Sequence, residues 1–130
     1  MIDDSGTFAG AAAKEIEEEL GLKIPESDLI DLTKLALTST ESTTGEKLQN
    51  GVYPSAGGCD EFIPIFLFEK RVDREQLKDW QGKLTGLRDS GEKITLKLVT
   101  LDKLWQEGGR DAKALSAWAL YEGLRRKGML

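Results

Sequence analysis

Two amphipathic helical runs, one near each end of the chain, most narrow what it can fold into. Each has an apolar stripe that must be buried against some other element. The first, Thr7 to Leu20, has Thr7 or Ser5 to cap its start and alanines through its middle. Gly21 supplies a left-handed residue at its end, and Pro25 forbids continuation. The second, Asp111 to Arg126, brings Leu115, Trp118, Ala119 and Leu124 near one face. Arg125, Arg126 and Lys127 suit its C-terminal end. Between them, Asp28 to Leu37 alternates partly between apolar and polar residues and reads as a half-buried strand. Thr38 to Gly51 is polar and rich in Ser and Thr, the composition of a loop. Phe62 to Phe68 is a strand with an edge or bulge at Pro64, and Asp73 to Trp80 is helical. Ile94 to Thr100 alternates as a strand, with Leu101 to Gln106 a short helix after it. The order helix, strand, strand, helix, strand, helix predicts a mixed α/β domain.

The length of 130 residues, with no repeat and no linker, fits one domain. Its 39% hydrophobic and 32% charged residues are those of a globular protein. A net charge of −5 gives no electrostatic footprint for nucleic acid. The longest apolar stretch, Phe62 to Phe68, is too short to span a bilayer, and the first residues lack the pattern of a signal peptide. One cysteine, Cys59, forms no internal disulfide, which fits a reducing, intracellular and cytoplasmic setting. Trp80, Trp105 and Trp118 read as core residues.

The chain has no histidine. That removes Ser-His-Asp and Cys-His nucleophilic machinery and the usual imidazole zinc sites. Catalysis would have to run on carboxylates, hard metals, lysines or hydroxyls. Glu15, Glu18 and Glu19 stand at i, i+3 and i+4, so they crowd one side of the first helix, with Ala13, Ile16 and Leu20 roughly opposite. At an effective dielectric of ~20, two such charges ~5 Å apart repel by ~3 kcal/mol. Mg²⁺ relieves that repulsion, because it prefers oxygen ligands and shares carboxylates with substrate phosphates. An ordinary solvated acidic face is the competing reading.

The spacing around these carboxylates is more specific. Lys14-Glu15-Ile16-Glu17-Glu18-Glu19-Leu20-Gly21-Leu22 resembles the Nudix signature R-E-U-x-E-E-x-G-U, where U is a bulky aliphatic residue. Lys14 stands where arginine is usual, Gly6 stands where the signature has an earlier glutamate, and the signature's first glycine would fall before Met1. Pro54 to Glu61 is similar to the S-P-G-G-x-x-E loop of ADP-ribose and ADP-sugar pyrophosphatases. Leu84 to Glu92 is similar to the acidic loop that supplies a late carboxylate in that branch, and Asp111-Ala112-Lys113 also fits.

The resemblance implies a Nudix-type α/β/α sandwich with a mixed sheet, incomplete on its N-terminal side, and a homodimer in a longer parent. It implies Mg²⁺, or Mn²⁺ in its place, held by Glu15 and Glu19, with Glu18 a further ligand or water-positioning group. Glu92 would be the base or a further ligand, and Asp89 the neighbouring candidate for that work. Gly57 and Gly58 would let backbone approach a nucleotide-sugar, and Glu61 would read its hydroxyls. Lys14 would orient a carboxylate without the rigid fork of arginine. The implied reaction is hydrolysis of the diphosphate bond of ADP-ribose or an ADP-hexose to AMP and a sugar phosphate. Two alternatives stand beside it. One is a Nudix enzyme for another nucleotide diphosphate such as NADH. The other is a catalytically impaired Nudix fragment that binds metal or a partner, since a chain beginning inside the signature is expected to have little activity alone.

Overall fold

The computed structural model describes residues 6–37, 48–86 and 91–130. In chain order the elements are α1 (Phe8–Leu20), β1 (Ile30–Asp31), α2 (Leu32–Leu37), β2 (Phe66–Leu67), α3 (Arg74–Trp80), β3 (Leu84–Thr85), β4 (Ile94–Thr95), α4 (Leu104–Glu107) and α5 (Ala112–Arg126). Contacts group the chain into two compact units, Met1–Leu29 with Phe68–Val99, and Ile30–Leu67 with Thr100–Leu130.

In the first unit, α1 begins where expected. Its N-cap Thr7 accepts a hydrogen bond from Gly10 N at 2.9 Å. It ends at Gly21, whose φ of +70° is the left-handed conformation that glycine tolerates, and whose N–H donates to Glu17 O. The Thr7 hydroxyl donates to Glu26 at 2.8 Å, tying the helix start to a 3-10 turn at Glu26–Asp28. Asp73 caps α3 through Gln76 N at 2.8 Å. β3 and β4 pair antiparallel, Leu84 with Thr95 and Thr85 with Ile94. The expected strand Ile94 to Thr100 is regular only over Ile94–Thr95. Beyond it, Leu96 still exchanges hydrogen bonds with Gly82 and Lys83, and Leu98 N donates to the Gln81 side chain. Gly82, at φ +75°, is the last residue of the neighbouring segment whose backbone pairs with this one, since Leu98 bonds a side chain instead.

In the second unit, the expected strand Asp28 to Leu37 is a strand only at Ile30–Asp31, and Leu32–Leu37 is helix instead. Asp31 explains the switch, since its carboxylate accepts from Lys34 N at 2.8 Å and from the Thr33 hydroxyl at 2.7 Å. Such a side chain captures free N–H groups at a helix start and outweighs the strand pattern. β1 pairs antiparallel with β2, Ile30 with Leu67 and Asp31 with Phe66. Pro64, with no N–H to donate, separates β2 from the bridge between Ile63 and Val52. Leu101–Lys103 is a 3-10 turn leading into α4, and Asp111 caps α5 through Lys113 N.

Leu32, Ile65 and Leu124 form the buried core of the second unit, surrounded by Ala36, Val52, Ile63, Leu67, Ala117, Leu120 and Tyr121. The inward stripe of α5 is therefore Ala117, Leu120, Tyr121 and Leu124, spaced i, i+3, i+4 and i+7. Of the expected face only Leu124 is buried. Leu115 and Ala119 are exposed, and Trp118 is half-buried against Trp105. Trp105 is exposed, contrary to its reading as core, while Trp80 is half-buried. Both sheets among the described residues are two-stranded and antiparallel, so the expected mixed sheet is not formed there. The elements remain those of an α/β fold. No described helix is long and apolar enough to cross a membrane.

Candidate functional site

The carboxylates of α1 sit in the first unit. Along the helix Glu15 is exposed, while Glu18 and Glu19 are half-buried; Ile16 and Leu20 are also half-buried. Glu17 lies on the other side and pairs with Lys23 at 3.3 Å. A concavity of about 350 Å³ opens on that other side, along Gly10, Ala13, Lys14 and Glu17 and against Lys23 and Glu26. At 100° per residue this stripe lies opposite Glu15 and Glu19, so the concavity is not the one expected to face them. Its two lysines and two glutamates balance in charge.

Glu19 is the carboxyl whose surroundings act on it most. Its pKa is raised from 4.5, first by partial burial, then by the charge of Glu15 one turn earlier, then by Glu92. Glu15 and Glu92 thus each lie within electrostatic reach of Glu19. The reach of Glu92 has a local cause. β3 touches α1, and the turn after β3 begins at Gly86, with φ of +90°. A Cβ there would lie 3.1 Å from Glu92 O and 3.2 Å from Glu92 Cγ, so glycine allows the far arm of the loop to fold close. Asp89 lies outside the described residues.

Gly57, Gly58 and Glu61 belong to the second unit. The bridge between Val52 and Ile63, with both N–H···O bonds at 2.9 Å, closes the segment that carries them. Gly58 N and Cys59 N both donate to Ser55 O. A Cβ on Gly58 would come within 2.7 Å of Ser55 Oγ, so this glycine serves the turn; one on Gly57 would meet nothing within 4 Å. Glu61 is exposed, as is Cys59.

Some residues of interest carry little signal in sequence. Tyr53 and Phe62 flank the bridge, and their rings pair at 6.3 Å. The pairing depends on a register across the turn that no periodicity reveals. Gly51 is buried beneath it, where a Cβ would meet Phe62 Cδ2 at 2.9 Å and Ile63 N at 3.2 Å. In β3, the Thr85 hydroxyl oxygen is buried without a hydrogen-bond partner among the described residues.

Among the described residues no three acidic or cysteine side chains converge closely enough to chelate an ion. The donor chemistry nonetheless suits a hard divalent cation. Glu15, Glu19 and Glu92 offer only carboxylate oxygens, and a cation there would lower the mutual repulsion felt at Glu19. Softer metals would find few donors in this chain, which has no histidine and a single cysteine.

Comparison with known proteins bears on these residues. No family model matches the chain, and no solved structure does. Over 128 residues, 98% of its length, the chain is 40% identical to Nudix hydrolase 14, chloroplastic, of Arabidopsis thaliana. It spans 38% of that protein. The chain is therefore similar, over almost its whole length, to part of a protein named a Nudix hydrolase.

Proposed function

We propose that this chain carries the metal-binding and catalytic carboxylates of a pyrophosphohydrolase that cleaves nucleotide-sugar diphosphates, ADP-ribose or an ADP-hexose. The observation that carries the reading is the crowding of Glu19, whose pKa is raised first by partial burial and then by the charges of Glu15 and Glu92. Glu19 lies on a helix whose sequence resembles the Nudix signature, in a chain homologous to a Nudix hydrolase. Glu15 and Glu19 would hold Mg²⁺, or Mn²⁺, with Glu18 as a further ligand or as the group that positions water. When bound, the ion neutralises phosphate charge and acidifies the attacking water. Glu92 would take the proton from the attacking water as the water oxygen bonds to phosphorus, and the bridging P–O bond would break to release AMP and the sugar phosphate. Asp89 is the alternative base. Gly57, Gly58 and Glu61 are the residues of the second unit we propose for substrate binding, the glycines through backbone and Glu61 by accepting from hydroxyls.

A net charge of −5 disfavours nucleic acid as the substrate, and a homodimer is the assembly we propose. The relative is chloroplastic by name, so a cytoplasmic setting for this chain rests only on its single cysteine. A second reading is a homologue that binds metal or a partner without turnover, and its partner-binding form is favoured by the lack of a chelating trio among the described residues.

The test is turnover by the protein with Mg²⁺ and a panel of ADP-ribose, ADP-glucose and NADH. AMP and ribose 5-phosphate from ADP-ribose are expected, abolished by Glu19→Gln. Glu92→Gln should lower kcat far more than it raises KM. Loss on Asp89→Asn with Glu92→Gln near normal would move the base to Asp89. Metal binding with no turnover of the panel would favour the second reading.

A further inference from the structure

We infer that Thr85 is a positioning residue for Glu92, its hydroxyl donating to one carboxylate oxygen while the other faces the attacking water. The inference rests on the proposed reading of Glu92 as the base, and it adds a residue that the spacing of the carboxylates does not reveal.

The placement follows from the short ribbon of β3 and β4, which lies within the first unit. Side chains alternate across a strand, so Leu84 and Thr85 point to opposite faces. Leu84 is 59% exposed and its partner Thr95 is exposed, whereas Thr85 and its partner Ile94 are half-buried. Thr85 and Ile94 therefore share the covered face. Because β3 touches α1, that face is the one turned toward the helix that carries Glu19. Glu92 precedes Ile94 by two residues, the spacing of side chains on one face of an extended segment. Both reach the same corner. Glu92 Cγ and Ile94 Cγ1 stand 3.2 and 3.3 Å from where a Cβ on Gly86, the residue after Thr85, would be.

The hydroxyl itself supplies the second observation. Its oxygen is buried and has no hydrogen-bond partner among the described residues. A buried hydroxyl left unpaired is destabilising, and valine offers nearly the same shape without it, so packing alone gives no reason for threonine. A carboxylate only accepts, which suits a lone O–H donor. Glu92 is exposed, and a base on an exposed arm gains from one fixed contact that sets its orientation.

The test compares the wild type with Thr85→Val and Thr85→Ser, first in thermal melts without metal and then in turnover of ADP-ribose with Mg²⁺. Without metal, Thr85→Val should hold or raise Tm, because it removes an unpaired hydroxyl and keeps the shape. In turnover it should lower kcat about tenfold or more, as loss of one hydrogen bond to a charged group does, with KM little changed. Thr85→Ser keeps the donor and should keep kcat near that of the wild type. In a Glu92→Ala background, adding Thr85→Val should cost little more, since the contact is already gone. A metal-free Tm that falls would show that the hydroxyl is already committed to the fold, and would overturn the inference. Unchanged kcat in Thr85→Val, or a full further loss in the Glu92→Ala background, would overturn it as well. A wild type that releases no AMP ends the hydrolase reading and this inference with it, whereas turnover indifferent to Thr85 ends the inference alone.

Discussion

Glu19 concentrates the electrostatics of α1. Partial burial and the charges of Glu15 and Glu92 raise its pKa above 4.5, so without metal its ionised form is disfavoured in the folded chain. A carboxyl with a raised folded pKa contributes stability that is complete below its unfolded pKa and lost as pH rises through the folded one. Without metal, Glu19→Gln should therefore raise Tm by about 1–3 °C at pH 7, and the gain should vanish near pH 4. A thermal melt series across pH checks this, and a lower Tm at pH 7 would show that Glu19 is held by favourable contacts. Asp111 has the opposite sign. Hydrogen bonding to Lys113, foremost at 2.8 Å from its Nζ, lowers its pKa below 3.8. Its contribution to the start of α5 is present above 3.8 and lost as pH falls through the depressed value. Lys113→Ala should reduce the acid sensitivity of α5 helicity, read by circular dichroism below pH 4. An unchanged acid limb would contradict it.

Helix ends were legible because their signals are local. Thr7 caps α1 and Gly21 ends it as the sequence indicates, and the runs read as helical from Asp73 and from Asp111 begin at the residues that cap α3 and α5. Strand extents were not, because pairing depends on residues far along the chain. Asp31 illustrates the conflict, since partial alternation argued strand while its carboxylate starts a helix. Thr33 then fastens that helix to the sheet. It is fully buried, donates to Asp31 and accepts from Ile65 N at 3.3 Å. Thr33→Val keeps the shape but leaves a buried N–H unpaired, and should cost about 1–3 kcal/mol in urea unfolding. A cost near zero would mean that water takes over the bond. The site was legible in the same uneven way. The spacing of Glu15, Glu18 and Glu19 is a helix property, whereas the approach of Glu92 depends on Gly86, and the Tyr53 and Phe62 pair on a register across a turn.

At the scale of the whole molecule, a chain of net charge −5 gathers part of that charge on one helix. Its folded form should then gain from any cation held there, because a ligand that binds the folded state alone stabilises it by mass action. Excess Mg²⁺ should raise Tm in the wild type and not in Glu19→Gln, while equivalent ionic strength from NaCl should leave the two alike. The most direct test of the carboxylate site is a Mn²⁺ titration of the chain followed by electron paramagnetic resonance. The account predicts saturable binding competed by Mg²⁺, weakened on the order of tenfold or more by Glu15→Gln and by Glu19→Gln. Glu17→Gln, on the far side of α1 beside Lys23, should leave it unchanged. Absent binding, or binding indifferent to Glu19→Gln, would contradict the account.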